Sequence, residues 1–204
     1  MMKLYNFEIS GNCYKIRLLL SLLGIEHELV PVDLRQGENF EPALLKLNPR
    51  AQIPVLDDDG TIIWDSSAIL TYLARQYGGE RWLPTDPLGM AEVVQWLAVS
   101  ENEILYGLAR ARAIKLMNKP WNPEECRKLG EQALEVVEQQ LAKSSWLAGH
   151  TITIADIACY PYIGLSGDGG FSLDPYPAIR QWMARIETQP GYITMPGLMR
   201  VGEG

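Results

Sequence analysis

The stretch from residue 48 to residue 70 contains groups that favour a ligand site. Pro54 lies where a strand should begin. Because proline has no N–H, this strand start is expected to face something other than a neighbouring strand, such as a peptide-like ligand. Asp65 and Ser66 follow a second apolar run and supply the carboxylate and hydroxyl that are typical of a helix N-terminus. The free N–H groups of such a terminus bind anions.

Strand and helix signals alternate through the first 79 residues, which must position these groups. The strands and helices are predicted at 3–7, 13–23, 28–34, 42–47 and 66–77, with a hairpin around the Asp-Gly turn at 58–60. The order βαβα-ββα is typical of a mixed sheet covered by helices.

The pattern changes after residue 79. Residues 80–87 are rich in turn-forming residues and are interpreted as a linker, and no convincing strand pattern follows them. Helices are predicted at 88–117, 123–143, 157–165 and 177–188, with a glycine-rich loop at 166–175. The chain is therefore predicted to be an α/β domain followed by an all-α domain.

The composition argues against several classes of function. The 204 residues carry a net charge of −7, whereas a nucleic-acid-binding protein needs a basic face. Three widely spaced cysteines form neither a disulfide framework nor a zinc cluster, and the two histidines lack metal-ligand spacing, so we expect no metal site. No apolar run approaches membrane-spanning length, and the N-terminus lacks a secretory apolar stretch. These features predict a cytoplasmic protein with no nucleic-acid or membrane partner.

Four motifs together resemble the cytosolic glutathione S-transferases along essentially the whole chain. They are Ser10-Gly-Asn-Cys13, the segment NPRAQIPV at 48–55, Asp65-Ser66 and Thr153-Ile-Ala-Asp156. Each motif alone is weak evidence, but their order and spacing are specific. Within that family the chain resembles the bacterial, theta-like members that use a serine at the catalytic position.

The resemblance implies a thioredoxin-like N-terminal domain at 1–79, a linker at 80–87 and an all-helical C-terminal domain at 88–204. It also implies a homodimer that binds glutathione as a cosubstrate, needs no other cofactor, and takes a small electrophilic substrate from the helical side. The expected activity is glutathione transfer, which is typical of detoxification. A glutathione-dependent disulfide reductase and a non-catalytic glutathione- or ligand-binding module on the same fold are the alternatives.

Ser10 is the candidate catalytic residue that the resemblance implies. Only the thiolate of glutathione attacks electrophiles, and each unit by which the thiol pKa is lowered needs about 1.4 kcal/mol of preferential stabilisation of the anion. At a helix N-terminus the Ser10 hydroxyl can donate to the sulfur, and the helix dipole adds about 0.3–1 kcal/mol. Asn12 is a second candidate donor, because some members of the family use an asparagine two residues after the serine. An ordinary N-cap serine is the structural alternative for Ser10.

The resemblance assigns glutathione binding to six residues: Asn39, Gln52, Ile53, Pro54, Asp65 and Ser66. Ile53 would pair its backbone with the cysteinyl part of the ligand like an added strand, and its bond to Pro54 is expected to be cis. The helix that begins at Asp65 would bind the γ-glutamyl carboxylate, while the Asp65 side chain would bind the adjacent ammonium. Gln52 is a candidate for the γ-glutamyl end and Asn39 for the glycyl end.

Three further residues are open to two interpretations. Ser10-x-x-Cys13 resembles a redox C-x-x-C motif whose attacking cysteine has become serine, so we expect Cys13 to be packed and inert, with a monothiol redox role as the alternative. Tyr106 and Arg110 share a face of the long predicted helix and are candidates for the electrophile site. Interdomain packing accounts for this pair equally well.

Overall fold

The computed structural model describes residues 1–199, and its first half is built on a four-stranded mixed sheet. The strands are β1 (Lys3–Asn6), β2 (Glu28–Pro31), β3 (Val55–Asp58) and β4 (Thr61–Trp64), in the order β2-β1-β3-β4 across the sheet. β2 is parallel to β1, whereas β3 is antiparallel to both β1 and β4. Three helices complete the predicted thioredoxin-like domain: α1 (Gly11–Leu22), α2 (Pro42–Leu47) and α3 (Ser66–Leu73).

The hairpin forms where the Asp-Gly signal predicted it. β3 ends at Asp58 and β4 begins at Thr61, and the two turn residues both have positive φ, 49° at Asp59 and 92° at Gly60. Two such residues match the twist of the flanking strands in a tight turn. The hairpin leads the chain from the Pro54 end of β3 directly into the start of α3.

Helices make up the second half, and no strand occurs between residue 80 and residue 199. They are α4 (Pro87–Val99), α5 (Arg110–Met117), α6 (Pro123–Leu141), α7 (Ile154–Gly164), α8 (Ser166–Gly169) and α9 (Pro177–Glu187). Residues 200–204, the end of the predicted helical domain, lie outside the described residues. Within the part that the structure describes, no helix has both the length and the apolar character to cross a membrane.

The predicted helix at 88–117 is one continuous rod with a π-helical middle. α4 begins at Pro87, the last residue of the predicted linker, and a π-helical segment (Ser100–Ala109) joins α4 to α5. π-Helical turns are rare and occur frequently at functional sites. This one faces the cleft described below.

Thr153 and Asp156 form the capping box that their spacing predicted. The fully buried Asp156 carboxylate also accepts hydrogen bonds from the backbone N–H of Leu147 at 3.0 Å and from the Trp182 indole at 2.8 Å. One side chain thus joins the start of α7 to the preceding loop and to α9.

Three of the predicted boundaries that differ from the structure concern α7, β2 and α8. α7 begins at Ile154 and not at Ile157, because Thr153 is its N-cap. β2 ends at Pro31, short of the predicted limit at residue 34. The predicted loop at 166–175 is wrong over its first four residues, which form the short helix α8. Although glycine disfavours helix, Gly169 allows α8 to pack closely against Ala111 and Arg112 of α5.

Arg112 in α5 joins the two halves beside the start of α1. Its Nε donates to Asp168 Oδ2 at 2.8 Å, and its Nη1 donates to the backbone carbonyl of Ile9 at 2.9 Å. Hydrogen bonds from a charged donor are roughly twice as strong as neutral ones. The residue that precedes Ser10 is therefore held by the helical half.

Candidate active site

Ser10 is the N-cap of α1 and lines a cleft between the two halves of the molecule. Its Oγ accepts a hydrogen bond from the backbone N–H of Cys13 at 3.2 Å. Because this contact uses the oxygen as an acceptor, the hydroxyl proton is left to donate. That proton can rotate about the Cβ–Oγ bond to donate to a ligand in the cleft.

Asn12 lies in the first turn of α1 and lines the same cleft. Its Oδ1 is buried and has no hydrogen-bond partner among the described residues. A buried polar atom without a partner costs about 1–3 kcal/mol, so a ligand group that donates a hydrogen bond to Oδ1 would remove a penalty. Ser10 and Asn12 thus present a hydroxyl and an amide at a helix end whose dipole favours an anion.

The loop before β3 presents an open stretch of backbone. The Ile53–Pro54 peptide bond is cis, as the resemblance implied, and both side chains are buried. Within the described chain no hydrogen bond uses the backbone N–H or C=O of Ile53. An extended ligand can therefore pair with Ile53 as an added strand.

Two buried asparagines fix this loop. Asn39 Nδ2 donates to the Ala51 carbonyl at 2.9 Å, and Asn48 Nδ2 donates to the Gln52 carbonyl at 2.7 Å. One of the two side-chain N–H groups of Asn39 is thus used within the protein, which leaves its other N–H and Oδ1 for the predicted ligand contact. Gln52 has an exposed side chain and lines the cleft.

Asp65 caps α3 from an unusual backbone conformation. Its φ is 80°, which is rare for a non-glycine residue, and such strained positions cluster at ligand sites. Its Oδ1 accepts from the backbone N–H groups of Ser67 at 3.0 Å and Ala68 at 3.3 Å. Its Oδ2 pairs with Arg50 Nη1 at 3.3 Å. The positive end of α3 and the Arg50 charge therefore lie together at one end of the cleft.

A buried lysine lies behind the start of α3. The Lys15 side chain is fully buried, and its Nζ donates to Ser100 Oγ at 3.0 Å, to Glu101 Oε1 at 3.3 Å and to Ser66 Oγ at 3.4 Å. The same Oε1 accepts from the hydroxyls of Ser66 at 3.4 Å and Ser67 at 3.0 Å. Because these contacts all use Oε1, the other carboxylate oxygen of Glu101 is left for a group in the cleft.

The cleft has a volume of about 410 Å³. All eight residues predicted on the thioredoxin-like side line it: Ser10, Asn12, Asn39, Gln52, Ile53, Pro54, Asp65 and Ser66. The other lining residues include Leu34, Phe40, Arg50, Glu101, Leu105, Met117, Lys119 and Trp121. One end is therefore polar and charged, and the helical wall is largely apolar.

Tyr106 and Arg110 are not among the lining residues. The Arg110 guanidinium lies 4.0 Å from the ring centroid of Tyr106 and 5.0 Å from that of Trp121. Since Trp121 lines the cleft, the pair supports the wall from outside. Their role toward the electrophile remains a prediction, and any such role would act through Trp121.

Cys13 is packed beneath the cleft and does not line it. Its thiol is fully buried and accepts from the backbone N–H of Phe7 at 3.5 Å. Burial raises the pKa of the Cys13 thiol, which keeps the reactive thiolate scarce. This environment agrees with the inert Cys13 that was expected from the sequence.

The sequence matches two family models in tandem. One describes the glutathione S-transferase N-terminal domain, over residues 4–81, and the other the glutathione S-transferase C-terminal domain, over residues 104–190. The chain belongs to the glutathione S-transferase family. A crystal structure of a glutathione S-transferase from Pseudomonas fluorescens is similar to this member, with a TM-score of 0.90 and 38% identity, covering 96% of this chain and 98% of that one.

Curated relatives in this family carry different activities in their names. The maleylacetoacetate isomerase of Pseudomonas aeruginosa is 32% identical over 199 residues, covering 94% of this chain and 93% of that protein. The disulfide-bond oxidoreductase YfcG of Escherichia coli is 30% identical over 206 residues, covering 93% and 92%. Membership in the glutathione S-transferase family thus fixes the scaffold, and the reaction has to be argued from the site.

Six residues at or behind the cleft of this family member were not predicted from the sequence: Lys15, Arg50, Glu101, Arg112, Lys119 and Trp121. Lys15 carried a usable signal, because it precedes Leu18 and Leu19 by three and four residues and so lies within an apolar helical stripe. Glu101 carried none, since the direction of its side chain depends on the π-helical turn.

Proposed function

We propose that this protein is a glutathione transferase that binds glutathione in the cleft and stabilises its thiolate through the Ser10 hydroxyl. One observation carries the proposal: the Ser10 hydroxyl, at the N-terminus of α1, lines the same cleft as the open backbone of Ile53 and the N-terminus of α3. Each of these three features suits one part of glutathione.

The charges of the cleft suit the γ-glutamyl end of the ligand. Its carboxylate would bind the backbone N–H and the hydroxyl of Ser66, because the N–H groups of Ser67 and Ala68 already cap onto Asp65 and the helix dipole favours an anion there. Its ammonium would bind Asp65 and the free carboxylate oxygen of Glu101. The cysteinyl backbone would pair with Ile53, which brings the thiol toward Ser10 and Asn12.

The chemical step then requires that the thiolate form of glutathione be stabilised over the thiol and that its sulfur be oriented toward the electrophile. The thiol proton leaves to solvent and the Ser10 hydroxyl donates to the sulfur. The thiolate then forms a carbon–sulfur bond with the electrophile, and either a leaving group such as chloride departs with its bonding electron pair or, in an addition, the neighbouring carbon takes up a proton from solvent. Ser10 forms no covalent intermediate. A hydrogen bond to a charged group is worth about 1.5–3 kcal/mol, which corresponds to a lowering of the thiol pKa by about one to two units.

The test is the Ser10→Ala variant, assayed with 1-chloro-2,4-dinitrobenzene and by direct titration of glutathione. We expect kcat to fall about 10- to 100-fold while the Kd for glutathione changes little, because the binding contacts lie elsewhere in the cleft. Asp86→Ala is the matched control: it removes a comparable helix cap, on α4 and outside the cleft, and should retain full activity. Unchanged turnover in Ser10→Ala would move the catalytic role to Asn12, which Asn12→Ala then tests.

A glutathione-dependent disulfide reductase is the second candidate, favoured by the name of the Escherichia coli relative. With Cys13 buried, such a reaction would use the glutathione thiolate itself. That thiolate attacks the disulfide, one substrate thiolate leaves, and a second glutathione resolves the mixed disulfide to oxidised glutathione. Turnover of hydroxyethyl disulfide that persists in Cys13→Ala and is lost in Ser10→Ala would support this candidate.

A non-catalytic glutathione- or ligand-binding module is the third candidate. It predicts retention on immobilised glutathione without turnover on a broad panel of electrophiles and disulfides. Isomerase activity, after the name of the Pseudomonas aeruginosa relative, belongs in the same panel.

We also infer a homodimer, which the resemblance implies. Apolar side chains that are 39–69% exposed lie on two helices of the second half: Leu88, Met90 and Val94 on α4 and Val136 on α6. Covering them with a second copy would remove apolar surface from water. Light scattering should give twice the monomer mass, and Val94→Asp should shift it toward the monomer.

The three buried, unpaired cysteines fit a reducing compartment, and we propose the cytoplasm.

A further inference from the structure

The cleft has an apolar part that the glutathione contacts do not use. Leu105 and Met117 line it from the helical side, together with Trp121, and Leu34 and Phe40 line it from the thioredoxin-like side. Phe40 is 68% exposed and Trp121 38% exposed. Large aromatic side chains left open in a cleft are suited to contact with a ring or another flat, apolar group.

Trp121 is held in place by a stack of side chains. The Arg110 guanidinium lies 4.0 Å from the centroid of the Tyr106 ring and 5.0 Å from that of the Trp121 ring. No carboxylate within residues 1–199 pairs with Arg110, so the two aromatic faces are its close partners. Cation–π contacts of this kind contribute about 0.5–1 kcal/mol each at exposed sites, and here they fix the wall against which a substrate can lie.

Lys119 supplies the remaining charge on this wall. The other charged groups that line the cleft already have partners, since Arg50 pairs with Asp65 and Glu101 pairs with Lys15. The Lys119 ammonium is exposed and has no carboxylate partner in the described part of the chain. It lies two residues before Trp121, so the free cation and the open ring belong to one short loop.

We propose that the acceptor is a planar aromatic or conjugated electrophile that carries a carboxylate or similar anionic group. Its ring lies against Trp121 and its anionic group binds Lys119. This inference rests on the proposed transferase function. The other anion that Lys119 can bind is the glycyl carboxylate of glutathione, and the experiment below separates the two.

The probes are 4-chloro-3,5-dinitrobenzoate and its carboxamide, which differ in charge and little in shape. With either probe the glutathione thiolate attacks the carbon that bears chlorine, a carbon–sulfur bond forms, and chloride leaves with the bonding electron pair. Each enzymatic kcat/KM is divided by the uncatalysed rate constant of the same probe, which removes the difference in intrinsic reactivity. The measured quantity is the ratio of the two normalised values.

We expect the native enzyme to prefer the carboxylate about fivefold and Lys119→Gln to lose most of that preference, the size expected for one exposed ion pair. Lys128→Gln, an exposed lysine on α6 away from the cleft, is the matched control and should keep the native ratio. Trp121→Leu should lower kcat/KM for both probes by about 2- to 12-fold, the range for one aromatic contact.

Three results would overturn the inference. One is a native ratio near one. The second is a ratio that Lys119→Gln leaves unchanged. The third is that Lys119→Gln raises the KM for glutathione and lowers kcat/KM equally for both probes, which would assign Lys119 to the glycyl carboxylate. Any of these leaves the proposed function standing. That function fails separately, if the native enzyme accelerates neither probe and does not turn over 1-chloro-2,4-dinitrobenzene.

Discussion

The Lys15–Glu101 pair gives an asymmetric prediction about stability. Lys15 has no exposed side-chain surface, whereas the Glu101 side chain is 30% exposed toward the cleft. Removing the partner of a buried charge costs about 3–5 kcal/mol, because the remaining ion is uncompensated. In Glu101→Gln the remaining ion is a lysine that cannot reach water, but in Lys15→Met it is a carboxylate that can.

The magnitudes follow from this difference in exposure. Glu101→Gln should lower the free energy of unfolding by about 3 kcal/mol, the low end of the range, since glutamine still offers an oxygen to the ammonium. Lys15→Met should cost about 1 kcal/mol, because Ser100 keeps its bond to the Ala158 carbonyl and Glu101 can be hydrated. The double variant buries no unpaired charge and should be about as stable as Lys15→Met alone.

Urea unfolding of the four proteins measures these values, and for a chain of this size Glu101→Gln should lower Tm by about 6–12 °C. Arg127→Met and Glu131→Gln remove an exposed pair on α6 and should each change the free energy of unfolding by less than about 0.5 kcal/mol. Two results would refute the reasoning. One is an equal loss of unfolding free energy in the two single variants, and the other is a loss in the double variant that equals the sum of the two single losses.

Three further variants or measurements test other contacts. Asp156→Ala should lower the free energy of unfolding by about 3–5 kcal/mol, because buried donors including the Trp182 indole lose their acceptor; a loss below 1 kcal/mol in urea unfolding would contradict this. Arg112→Leu should destabilise by about 2 kcal/mol and lower kcat more than it raises the Kd for glutathione, because the Ile9 carbonyl that precedes Ser10 is released; equal effects on both constants would argue against it. The thiol of Cys13 should react with a disulfide reagent only at the rate of unfolding, because burial raises its pKa, and rapid labelling of the native protein would show the packing to be wrong.

The elements on the thioredoxin-like side of the cleft could be predicted because their signals are local. The positions of Pro54 and Asp65 follow from turn and capping preferences within a few residues of each, and those elements carry the ligand-facing groups with them. The capping box at Thr153 and Asp156 was equally local, and both of its hydrogen bonds are present. Local signals placed these elements to within a few residues.

The helical wall depends on long-range geometry, and there the sequence was less informative. Spacing alone singled out Tyr106 and Arg110, but the π-helical segment alters which side chains of the rod face the cleft. Lys119 and Trp121 lie in the loop after α5, where the sequence has no helical or strand periodicity from which the direction of a side chain could be predicted. Their position follows from how the two halves pack, which no single segment determines.

The central claim is that Ser10 stabilises the glutathione thiolate, and the pKa of bound glutathione tests it most directly. The thiolate is followed by its ultraviolet absorbance as a function of pH, with saturating glutathione, in the native enzyme and in Ser10→Ala. The account predicts a thiol pKa at least about one unit below that of free glutathione in the native enzyme, and a rise of about one unit or more in the variant. The same lowered pKa in both proteins would contradict the role given to Ser10.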